Sequence, residues 1–80
     1  MLGSNIECIK MFRRFTGFGL VESKDAVEFF FKIAGVEENT IQDIFIYGQF
    51  QDYVKGFMDG KIELLKHKAV ITKELTLEDL

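Results

Sequence analysis

Eighty residues make one domain, 1–80, and 48% of them are hydrophobic, which excludes intrinsic disorder. Nine Phe, no Pro and a single Cys exclude collagen, Pro-rich linkers and a disulfide scaffold. A formal charge of −3 and a pI of about 5.0 argue against a surface given over wholly to nucleic acid.

At the N-terminus, Glu7 stands where a secretory leader needs its apolar run, and Gly3 lies one place too late for myristoylation. The longest apolar runs, Phe29-Phe30-Phe31 and Ile44-Phe45-Ile46-Tyr47, fall far short of the ~18 residues that span a bilayer. No membrane association is expected. A lone thiol without an export signal fits a reducing, cytoplasmic setting.

The first element opens on Ser4-Asn5-Ile6-Glu7, a capping-box spacing. At ~100° per residue, Cys8, Ile9, Met11, Phe12 and Phe15 share one helical face, opposite Lys10, Arg13 and Arg14. Thr16-Gly17 ends it. A second helix is expected from an N-cap at Ser23 to a C′ glycine at Gly35. Its apolar residues, among them Phe29, Phe30 and Phe31, cover more than half its girth, so it needs neighbours on nearly every side. A third helix follows a cap at Asn39 or Thr40 and runs from 41 to about 59, with Phe50, Tyr53, Val54 and Phe57 on its stripe. Gly48 and Gly56 each cost about 1 kcal/mol inside a helix. They imply either a break near Gly48 or the close approach of another backbone. The spacing of Ile62, Leu65 and Ala69 predicts a fourth helix over 61–69.

Residues 70–75 and 18–21 are the β-prone stretches, and they suggest a small ribbon. The expected fold is therefore mainly α, a compact bundle of about four helices with a possible ribbon of 18–21 against 70–75. The alternative is α+β. The acidic and apolar residues 75–80 read as a last turn capped by Thr76, or as a docking strip.

Residues able to carry chemistry are few. Both serines are read as helix caps, His67 sits between Lys66 and Lys68 on a solvated face, and Cys8 lies on an apolar stripe where a thiol is a small hydrophobe. One His and one Cys cannot form a structural zinc site, and no EF-hand spacing occurs. No enzyme, metal or cofactor is expected. The string Gly17-Phe18-Gly19-Leu20-Val21 is similar to the RNP1 strand motif of RNA-recognition domains. However, too little chain precedes it for the strand, helix and strand that such domains require. Thr40-Ile41 and the residues after it faintly resemble small helix-turn-helix repressors, yet the would-be recognition helix carries Phe50, Tyr53 and Phe57 and only Lys55 as a cation.

Two functional expectations remain. The surplus of large apolar side chains suggests a small non-enzymatic helical interaction module, a homodimer or an adaptor for a larger protein. Its candidate interface is Phe29, Phe31, Gly48, Phe50, Gly56 and Phe57. The alternative is a small nucleic-acid-binding regulator that grips phosphates with Lys10, Arg13 and Arg14, joined by Lys66 and Lys68.

Overall fold

The computed structural model describes residues 2–72, and within them the local signals resolve into three helices and two strand pairs. In chain order these are β1 (Gly3–Ser4), α1 (Asn5–Thr16), α2 (Leu20–Ala34), β2 (Thr40–Ile41), α3 (Ile44–Met58), β3 (Ile62–Leu65) and β4 (Lys68–Ile71). The architecture is mostly helical with small antiparallel additions, consistent with α+β and not with four helices.

The cap of α1 forms as its spacing dictates. Ser4 Oγ accepts from the Glu7 amide at 3.2 Å and donates to Glu7 Oε1 at 3.1 Å. Gly17 closes the helix with φ 75°, donating its N–H to the Arg13 carbonyl at 2.9 Å. Gly35 closes α2 in the same left-handed conformation, and the Val36 amide reaches back to Phe31 O at 2.9 Å. Only glycine takes such a φ without a Cβ penalty.

Four expectations are corrected. First, α2 begins at Leu20, so Ser23 is no cap. It is fully buried inside the helix, its Oγ donating to Phe18 O at 3.5 Å. Second, 18–21 forms no strand, because Leu20 and Val21 already belong to the first turn of α2. Of the ribbon's other half, 70–71 pairs elsewhere and 73–75 lies outside the described residues. Third, α3 starts later than expected, after Asp43, whose Oδ1 accepts from the Phe45 amide at 2.8 Å. Thr40 and Ile41 instead form β2, pairing with Ser4 and Gly3.

The fourth correction is the largest. Residues 61–69 are not helical; β3 and β4 form a hairpin with Ile62 opposite Ile71 and Leu65 opposite Lys68. Ile62 and Leu64 alternate inward while Glu63 and Leu65 face out, which is a strand's period of two. The turn residues Lys66 and His67 both have positive φ, 49° and 66°, the conformation of a two-residue hairpin turn. Gly48 does not break α3, and a Cβ there would meet nothing within 4 Å. Gly56 is different. A Cβ on it would collide with Ile62 Cδ1 and lie 2.8 Å from Cγ1, so this glycine is where β3 folds back onto α3.

The core is an aromatic stack. Phe12 is fully buried, with ring centroids 5.0 Å from Phe57, 5.6 Å from Phe18 and 6.2 Å from Tyr53. Phe30 packs edge-on against Phe50 at 5.3 Å and tilted on Tyr53 at 5.1 Å. Edge-to-face geometry of this kind adds about 0.5–1.5 kcal/mol per pair beyond area burial. The Tyr53 hydroxyl donates to Ala26 O at 2.7 Å, tying α3 to α2 through a buried hydrogen bond.

Candidate functional site

The pairing of β1 with β2 sets the start of two helices. Since α1 follows β1 directly and α3 begins three residues after Ile41, both helices leave the same end of the molecule. They then run side by side. Their exposed seam is lined in matching order, first by Leu2, Cys8 and Met11 against Tyr47, then by Met11 and Phe15 against Val54 and Met58. The two stretches share Met11 and enclose about 230 and about 370 Å³. No residue of α2 contributes to either lining.

The walls of the wider stretch are apolar and soft. Phe15 and Met58 are both about half exposed, while Val54 is buried at the floor. Gln51, Lys55 and Asp59 supply its polar rim. The Arg14 guanidinium lies 5.9 Å from the Phe15 ring centroid, which sets a second cation at this lip. Methionine's flexible thioether and an exposed Phe face suit a surface that repacks around a partner.

The groups of the expected chemistry are placed as follows. Cys8 is buried, and loss of solvation, followed by the Glu7 carboxylate, pushes its thiol up to about 11. The thiolate that a nucleophile requires is thereby disfavoured. Burial also pushes the Tyr53 phenol up. His67 is largely exposed, with Nδ1 2.6 Å from Asp25 Oδ2, so it fastens the hairpin turn to α2. Among the described residues, no group of three or more His, Cys, Asp or Glu could hold a metal ion. No described helix is long and apolar enough to cross a membrane.

The cations named from sequence do not gather in one place. Lys10, Arg13 and Arg14 are exposed on α1. Lys66 and Lys68 instead line a hollow against α2 with Asp25, Glu28, Phe29 and Lys32, to which α1 contributes nothing.

The candidate interface needs correction as a set. Phe31, Phe50 and Phe57 belong to the core of the chain itself, and Phe29 is partly buried. Gly56 is filled by Ile62, and Gly48 is partly buried with open space at its Cβ. What the sequence reading missed is the outer rank of the same stripes. Met11 and Phe15 share the apolar face of α1 with Phe12, and Met58 follows Phe57. Period alone does not tell which residue of a wide stripe faces a neighbour. Ile6, Ile44 and Phe45 are further exposed apolar residues at the helix starts, Phe45 at 80%.

Compared with protein-family models, curated proteins and solved structures, the chain matches none.

Proposed function

We propose that this protein is a small non-enzymatic interaction module, working as an adaptor or a homodimer, whose binding face is the seam between α1 and α3. The carrying observation is that seam itself: two side-by-side helices with Met11, Phe15 and Met58 open to solvent between them. Two parallel ridges with an apolar floor leave room for a third, and an amphipathic helix from a partner supplies one. From Tyr47 to Asp59 the seam follows twelve residues of α3, about 18 Å at 1.5 Å per residue. That length accepts three turns of partner helix.

The raised thiol of Cys8 and the salt-bridged, exposed His67 support the non-enzymatic part of the reading. The nucleic-acid alternative would rest on Lys10, Arg13 and Arg14 alone, since Lys66 and Lys68 lie against α2.

A random-peptide selection against the purified protein tests the reading. Enriched peptides are expected to carry apolar residues at i, i+3 or i+4, and i+7, and to bind Phe15→Glu at least about tenfold more weakly, the effect of ~1.4 kcal/mol. No enrichment, or binding indifferent to Phe15→Glu, sinks it. Sedimentation of the protein at micromolar concentration separates the adaptor from the homodimer.

A further inference from the structure

The described chain leaves the hairpin at the mouth of the seam. Thr72 donates its amide to Lys61 O at 2.9 Å and its hydroxyl to Gly60 O at 3.4 Å. Gly60 and Lys61 directly follow Asp59, the last lining residue of the seam on α3. Residues 73–80 therefore start there, with the sequence Lys-Glu-Leu-Thr-Leu-Glu-Asp-Leu. Three leucines alternate with three carboxylates in it, and a lysine comes first.

We propose that residues 73–80 are an intramolecular occupant of the α1–α3 seam, competing there with an outside partner. The inference rests on the reading of that seam as a binding face. Reach permits it, because eight residues span at most about 26–29 Å. The stretch of α3 from Asp59 back to Gln51 is about 12 Å long. Charge matches in order as well. Lys73 comes first, beside Asp59 at the mouth. Glu74, Glu78 and Asp79 follow, toward Lys55 and the Arg14 guanidinium on Phe15.

A second cleft is equally near Thr72, and charge decides against it. It is lined by Phe18, Phe57, Ile62 and Leu64, and its charged groups are Glu22 and Glu63. Such a cleft repels an acidic segment. The seam, by contrast, offers two cations beside exposed apolar walls.

Methyl resonances of Met11 and Met58 report the seam in protein labelled with carbon-13 on its methionine methyl groups. Both resonances are expected to move when the chain is cut after Thr72. Glu74→Lys with Glu78→Lys and Asp79→Lys in the full chain is expected to move them in the same direction, independently of how the cut chain folds. Adding Arg14→Glu and Lys55→Glu to that triple variant is expected to restore the original positions. The cut chain should bind a selected peptide at least about threefold more tightly, as removal of an internal competitor requires.

Identical Met11 and Met58 resonances in full-length, cut and charge-reversed chains overturn the inference. So does a shift that grows with protein concentration, which would place the segment in another copy's seam. Equal peptide affinity for full and cut chains, with unmoved methyls, removes the internal occupant and leaves the binding-face reading intact. Moved methyls without any peptide binding to the cut chain would instead sustain the internal occupant and remove the outside partner.

Discussion

Cys8 occupies a position where a single proton matters. Its thiol is held neutral by burial and by the nearby Glu7 carboxylate, rising from 9.0 to about 11. The folded state thus binds that proton more tightly than the unfolded chain does. This contribution to stability is complete below pH 9 and is lost as pH rises toward 11. Urea midpoints measured at about pH 8 and about pH 10.5 should fall less steeply for Cys8→Ala than for the natural chain. Equal slopes would show that the thiol is not held. The sequence placed Cys8 on the apolar stripe of its helix, and the burial agrees. Ser23 was misjudged at the same scale, because a serine three residues into a helix carries the same local signature as a cap. Only the packing of Phe18 above it draws its hydroxyl inward.

Among elements, the hairpin of β3 and β4 is the instructive failure. Its turn is Lys66-His67, without the Asn or Gly that usually advertises positive φ. Residues 61–69 also contain a helix-like spacing, so two periods competed in one short segment. What settles the outcome is Gly56, whose bare face receives Ile62. A strand can place Ile62 there and Leu64 beside it on the core. The two strained turn residues predict a stabilising change. Lys66→Asn with His67→Gly should raise stability by about 1 kcal/mol, as relief at two positive-φ sites exceeds the loss of an exposed ion pair. A higher urea midpoint at unchanged m-value is the expected measurement, and a lower midpoint would mean that the His67–Asp25 contact outweighs the strain. The caps of α1 and the C-terminal glycines of α1 and α2 were readable, since each needs only residues within one turn.

At the scale of the molecule, one ring joins the layers. Phe12 on α1 touches Phe18 ahead of α2 and both Tyr53 and Phe57 on α3. Removing it forfeits about 3–5 kcal/mol, out of the roughly 4–12 kcal/mol that a domain of this length commands. Phe12→Ala should therefore lose its cooperative urea transition, or shift it close to the absence of denaturant. Phe45→Ala, at an exposed site, should stay within about 0.5 kcal/mol of the natural chain. Should both variants unfold alike, the aromatic stack is not the main support. Most phenylalanines find cover inside this one chain, and Phe15 and Phe45 are the two left in the open. The apolar excess is thus smaller than composition suggests, and it collects at the α1–α3 seam and the helix starts.

By itself the sequence determined the helical majority, the capping of α1, the glycine stops of α1 and α2, and the apolar stripes. These are local properties, set by side chains within a few residues of one another. The tertiary structure decided which member of each stripe is covered. It also decided that 61–69 is a hairpin and that α3 stays whole across Gly48. Those outcomes depend on what lies across the core, Ile62 against Gly56 and Ala26 against Tyr53, and contacts between residues so far apart in the chain have no local spacing to announce them.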